Sequence, residues 1–253
     1  MKYTLLQLIQ KVLNSIDGDE VNSWSDTVES RQIAHILEDC YYDITDGKDL
    51  PEDYSIVELE ATDVNSPTLM KKPSTVDELL WIKYNKQTAS DSNPVWGSVS
   101  FKPIEEFYSD MLALSQEETN IKTYNKTLDG SVVRFYGRKD KAPDFYTHIG
   151  DQWILFDSYD EAVDANLQTS KTQSYCRKLR TWVMDDTFIP VLPDQQFSLL
   201  LNEAKAAAWQ DMKQAQNARA EKKARKAWVR MQKDLNDYDD WPEYSKWKGY
   251  GRR

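Results

Sequence analysis

The chain has 253 residues and a net charge of −10, with 40% hydrophobic and 12% aromatic residues. That is enough for a packed core and excludes global disorder, while eight glycines and nine prolines exclude a fibrous or linker protein. The acid excess argues against a general phosphate-backbone binder, which needs clustered Lys and Arg.

From the start, residues 1–16 are amphipathic and broken by Gln7, Gln10, Lys11 and Asn14. They lack the basic start and apolar core of a secretory leader, so synthesis in the cytoplasm is expected. Thr4 predicts the cap of a first helix carrying Leu5, Leu8, Ile9, Val12, Leu13 and Ile16, spaced by three and four and stopped at Asp17-Gly18. Ser25 or Asp26 predicts the cap of a second helix running to Ile44. Its apolar positions are Val28, Ile33, Ile36, Leu37, Cys40, Tyr41 and Ile44, and Asp46-Gly47 ends it. A short joint makes the pair an antiparallel hairpin.

The middle of the chain changes period. Residues 56–60, 79–84 and 99–101 are short and β-rich, bounded by Pro, Asn, Asp or Ser. Pro103 opens a short helix to about Leu114. Strands follow at 132–136, 145–147, 153–156 and 173–180, with turns at Asp129-Gly130 and Gly150-Asp151. From Pro193-Asp194, Phe197, Leu200, Leu201, Ala204, Ala208, Met212 and Ala215 form a helical stripe, which Ala224, Trp228, Met231 and Leu235 continue. One helix of ~40 residues would reach ~60 Å, so it either breaks near Asn217 or projects outward.

The expected fold class is therefore α+β: a helical bundle built from both chain ends, with an inserted, mostly antiparallel β region and an extended C-terminal tail. The divisions are 1–50, an N-terminal helical hairpin; 51–180, the β-rich insert; 181–236, a long C-terminal helix completing the core; and 237–253, an aromatic tail.

Chemistry-bearing residues are sparse. Cys40 and Cys176 stand at no metal-ligand spacing from another Cys or His and read as reduced core thiols. Glu58 and Glu60 on one strand face are an acid–base pair in form, but a solvated face outweighs that reading. With His35 and His148 the only histidines, no catalytic set, no metal site and no cofactor is expected. Nor is a membrane span, because no stretch approaches the ~20 apolar residues that one needs.

Two segments are candidates for contact. Residues 219–233 hold Arg219, Lys222, Lys223, Arg225, Lys226, Arg230 and Lys233. They read as a solvated helix face, as a partner-docking helix presenting Lys222, Arg225, Trp228 and Arg230, or as a direct nucleic-acid patch. In the tail, Tyr238, Trp241, Tyr244, Trp247 and Tyr250 recur every third residue beside Arg252 and Arg253. Large aromatics exposed to water waste apolar area (~25 cal/mol per Å²), so this tail either folds back on its own domain or, the favoured reading, lies against a partner.

Specific residues carry a family resemblance. Leu13-Asn14-Ser15-Ile16-Asp17-Gly18-Asp19-Glu20-Val21 followed by Ala34-His35-Ile36-Leu37 is similar to the opening of tubular tail protein A, the head-to-tail adaptor of short-tailed double-stranded DNA phages. Trp182, Asp185-Asp186, the run Phe188-Ile189-Pro190-Val191-Leu192-Pro193, Phe197, Leu199-Leu200-Leu201 and Glu203-Ala204-Lys205 resemble the entry to that family's long helix. The match covers residues 3–46 and 180–235; where the family often has proline, Asp19-Glu20 stand here.

The resemblance implies a non-enzymatic virion subunit, made in the host cytoplasm and placed at the head–tail junction. It would sit in a ring of identical subunits, typically twelve, between portal and tail nozzle, and line a DNA channel without specific binding. Its portal contact would be Trp241, Tyr244, Trp247, Tyr250, Arg252 and Arg253. The rival reading is a nucleic-acid-binding protein acting through helix 219–233.

Overall fold

A computed structural model describes residues 2–48, 50–88, 93–114, 119–128 and 130–239. The chain divides into two compact units, residues 53–179 and residues 1–52 with 180–253.

The first unit is built on an eight-stranded mixed sheet. Its strands are β1 (Tyr54–Val57), β2 (Glu60–Ala61), β3 (Leu69–Lys71), β4 (Val76–Asn85), β5 (Trp96–Phe101), β8 (Phe145–Ile149), β9 (Trp153–Phe156) and β10 (Thr172–Lys178). They run in the order β1-β10-β4-β5-β8-β9-β3-β2, and the sheet is curled. All pairs are antiparallel except β5 with β8, where Ser100 and Phe101 pair with Phe145 and Tyr146. A parallel pair needs a crossover. Here it contains α3 (Ile104–Ala113) and a two-stranded hairpin of β6 (Ile121–Leu128) and β7 (Ser131–Arg138).

Alternation explains which faces are buried. In β10, Thr172, Ser174 and Cys176 point inward, and in β4 the buried Ile82 and Tyr84 are two residues apart. The core includes Leu59, Met70, Ile82, Val99, Tyr146, Phe156 and Cys176. A neighbouring cluster packs Phe107 and Met111 of α3 against Tyr124 and Phe135 of the hairpin. The Tyr124 hydroxyl lies 2.7 Å from Thr68 Oγ1. Beside it Gly137 is required, since a Cβ there would fall 2.7 Å from Thr68 Cγ2.

The second unit holds α1 (Leu5–Leu13), α2 (Val28–Thr45), α4 (Phe197–Lys213) and α5 (Ala218–Asp239) around one core. Thr4 caps α1 in a capping box: its Oγ1 accepts from Gln7 N–H while the Gln7 side chain accepts from Thr4 N–H. The cap of α2 is Thr27, with Ser30 reciprocating. Neither residue expected for that role serves it; Asp26 instead accepts from the backbone N–H of Asn22 and Ser23. Trp182, Phe188 and Leu192, in the irregular segment before α4, pack on this core. Phe188 O accepts the free N–H of Leu5 at the start of α1. Arg180 donates to the carbonyls of Thr45 and Lys48 at the C-terminal end of α2.

The expected long C-terminal helix is two helices. Gln214 adopts the left-handed conformation (φ 50°, ψ 34°) and ends α4, and Asn217 Oδ1 accepts from Ala220 N–H to start α5. Ala224 and Met231 then enter the same core as Leu200, Ala204 and Ala208.

The expected fold class is corrected. Among the described residues the largest element is the curled eight-stranded mixed sheet, accompanied by a separate two-stranded sheet and five α-helices; the chain is not a helical bundle built from both ends with a β insert. The strand expected over 56–60 is split, β1 ending at Val57 and β2 starting at Glu60, and the polar composition of 121–128 and the brevity of 69–71 gave those segments no apolar alternation of their own. They are strands because partners supply the hydrogen bonds: β3 bridges β2 and β9, and β6 pairs along its whole length with β7. Fully buried Phe156 anchors the sheet core. Phe156→Ala is expected to destabilise the chain by about 3–5 kcal/mol, read as a lowered midpoint in urea unfolding.

Candidate functional site

The face of α5 turned away from the core is basic. Arg219, Lys222, Lys223, Arg225, Lys226, Arg230 and Lys233 are all exposed. Among the described residues none of them is in an ion pair. The fold produces this directly, because Ala220, Ala224 and Met231 take the inward positions of α5 and leave the cations outside. Lys205 of α4 registers the local charge. Burial first, and then the nearby Lys11 and Lys223, hold its amine below the ordinary lysine value.

Of the four residues expected to dock a partner, Lys222, Arg225 and Arg230 are on this exposed surface. Trp228 is half-buried and committed to its own unit. Its indole N–H donates to Glu203 Oε1 at 2.5 Å, and Lys48 Nζ sits 3.7 Å from its ring centre. The tail residues Trp241, Tyr244, Trp247, Tyr250, Arg252 and Arg253 lie outside the described residues.

Sequence reasoning missed an acidic counterpart on α2. Glu29, Asp39, Asp43 and the capping Asp46 are exposed and, among the described residues, are in no ion pair with Lys or Arg. Glu38 has only His35, at 3.4 Å. These acids recur at helical spacing in the sequence, but spacing alone does not tell which face of a helix is left uncovered. Glu29 also lines a shallow hollow with Gln32, His35, Ile36, Asp211 and Met212, so the acidic surface of α2 has an apolar centre.

In the sheet unit, a hollow is lined by Lys72, Asp77, Leu79, Phe101, Tyr146, His148 and Asp151. Phe101 lies 5.6 Å from the Tyr146 ring and 5.7 Å from the His148 ring. The buried Lys72 donates to Asp77 O at 2.8 Å and to Asp151 Oδ1 at 2.9 Å, so its charge is already engaged. Burial, and then the Lys72 charge, hold His148 below its usual value of 6.5. Glu58 and Glu60 are exposed, and Glu58 belongs to no strand, so the shared strand face that would align them is missing. Cys176 is buried, and Cys40 is half-buried with its thiol pushed up to about 12 by burial and then by Glu203. Among the described residues no group of three His, Cys, Asp or Glu side chains is placed to hold a metal, and no helix is long and apolar enough to cross a membrane.

No protein-family model matches the sequence, and no curated protein matches it.

Two outcomes follow. Reversing Lys222 and Lys226 together to Glu should change unfolding free energy by no more than about 0.5 kcal/mol, because no intramolecular partner is lost. Trp228→Phe, which removes the donor to Glu203, should cost about 1–2 kcal/mol in the same urea titration. The His148 shift also fixes a pH dependence. Its folded value lies below 6.5, so between that value and 6.5 the unfolded chain binds more protons. Stability is therefore full above pH 6.5 and falls as the pH is lowered through it. His148→Phe should flatten that part of a pH series of unfolding midpoints.

Proposed function

We propose that this chain is a non-enzymatic structural subunit of a phage virion, a head-to-tail adaptor that joins the portal to the tail nozzle and lines the DNA channel. The observation that carries the reading is the row of exposed cations on α5, unpaired among the described residues, in a chain whose net charge is −10. Cations left unmatched at one surface of an acidic protein suit a contact with an acidic surface elsewhere. The resemblance of residues 3–46 and 180–235 to the adaptor family supports the same reading, and these residues fall in the helical unit that displays this row.

Under this reading the partners are the portal, the nozzle and identical subunits in a ring. The aromatic and basic residues Trp241, Tyr244, Trp247, Tyr250, Arg252 and Arg253 make the portal contact. DNA passes without specific binding, because the acid excess of the chain as a whole gives the phosphates few anchoring pairs.

Truncation after Asp237 tests this reading. Capture by immobilised portal of the same phage should be lost while the helical circular-dichroism signal stays; capture at the full-length level would overturn the portal assignment. The same seven cations favour a second reading, direct binding of nucleic acid through α5. It requires a duplex gel shift at low salt that weakens steeply as salt rises. A blank gel at low salt dismisses it.

A further inference from the structure

The cations of α5 and the acids of α2 form two helical stripes of matching period. On α5, Arg219, Lys222, Lys226, Val229 and Lys233 follow gaps of three, four, three and four. On α2, Glu29, Gln32, Ile36, Asp39 and Asp43 follow the same gaps, and Asp46 at the C-cap extends the row. Such spacing places each set on one side of its helix. In both cases it is the outer side: Ala220, Ala224 and Met231 face the core from α5, and Ile33, Leu37, Tyr41 and Ile44 from α2. Each stripe has an apolar residue within it. Val229 is 63% exposed, and Ile36 is half-buried, packing on one side against its own core and opening on the other into the α2–α4 hollow.

One copy leaves these two stripes unmatched. Both belong to the same compact unit, where α4 packs against α2 and against α5. Among the described residues no ion pair joins the cations of α5 to the acids of α2.

We infer that the α5 stripe of one copy docks antiparallel on the α2 stripe of a second copy. Seating Val229 on Ile36 sets the register. It brings Lys226 to Asp39, Lys222 to Asp43 and Arg219 to Asp46, three opposite-charge pairs around an apolar centre, with Lys233 running on toward Gln32. No one-turn shift keeps both the apolar contact and all three pairs. The contact joins two different surfaces, so each copy retains one free stripe for the next, and repetition gives a closed ring or a filament according to the rotation between copies. This deepens the adaptor reading by naming the surface through which copies meet, and it rests on that reading only in requiring that copies meet.

Disulfide trapping on the full chain tests the pairing. Val229→Cys and Ile36→Cys variants, mixed at high concentration with oxidised glutathione, should give a cross-linked heterodimer. Val229→Cys mixed with Val132→Cys, an equally open position on the hairpin, gives the background. Lys222→Glu with Lys226→Glu in the first variant should lower the cross-linking rate by on the order of tenfold, and 1 M salt should lower it as well. Adding Asp39→Lys with Asp43→Lys to the second variant should restore the rate.

Cross-linking no faster than the background overturns the pairing, as does a rate indifferent to charge reversal. A low-salt duplex shift abolished by Lys222→Glu with Lys226→Glu, without specific cross-linking, overturns it in favour of nucleic acid. Capture by the portal is read separately. Specific cross-linking without portal capture keeps the copy-to-copy contact and removes the adaptor assignment, and the reverse result removes only the contact.

Discussion

The return of α5 onto α4 is the constraint on which the surface of the helical unit depends. A continuous helix from Phe197 to Asp239 would carry Ala224 and Met231 away from any core that one chain can build. Placing Gln214 in the left-handed region and capping with Asn217 turns the chain back instead. The cost of a non-glycine residue at φ 50° is offset by burial of Ala220, Ala224 and Met231 and by the bond from Trp228 to Glu203. With those inward positions taken, the cations of α5 have nowhere to point but outward. The chemistry of the exposed face is thus a consequence of how the apolar face is satisfied.

Charge is segregated rather than balanced locally. Residues 218–233 contain seven basic residues against Glu221, while the first 52 residues contain eleven acids against four basic residues. Elsewhere opposite charges meet inside the chain, as where Lys86 and Lys141 flank Asp144 at 2.7 and 2.8 Å and draw its carboxyl below the usual value. The unmatched acids of α2 and cations of α5 instead stand as separate rows of one sign each, which gives the helical unit charge to offer a partner. An overall charge of −10 conceals this, because a sum over the chain says nothing of where the charges stand.

The sheet depends on a different device. Its parallel pair, β5 with β8, requires a crossover, and that crossover carries α3 and the β6–β7 hairpin. Phe107 and Met111 of α3 and Phe135 of the hairpin give this excursion an apolar cluster with Leu69 and Leu155 of the sheet. The Tyr124–Thr68 hydrogen bond and the side-chain-free Gly137 fix how closely the hairpin approaches.

The sequence by itself determined what a local period can determine. The Thr4 cap, the apolar faces of α1, α2 and α4, the turn glycines Gly130 and Gly150 and the strong strands β4, β7 and β9 are written in three-and-four or alternating patterns along the chain. Tertiary structure alone decided that 69–71 and 121–128 are strands and that the strand expected over 56–60 breaks after Val57 and resumes at Glu60, since these pairings depend on what lies alongside. It decided that the sheet is the largest element of the fold rather than an insert, and that Thr27 rather than Ser25 or Asp26 caps α2. It also sorted the aromatic and charged residues of α5, drawing Trp228 inward to Glu203 and leaving Lys222, Arg225 and Arg230 to solvent. Periodicity tells which residues share a face of a helix; which face is covered depends on what packs there, and that is a property of the folded chain.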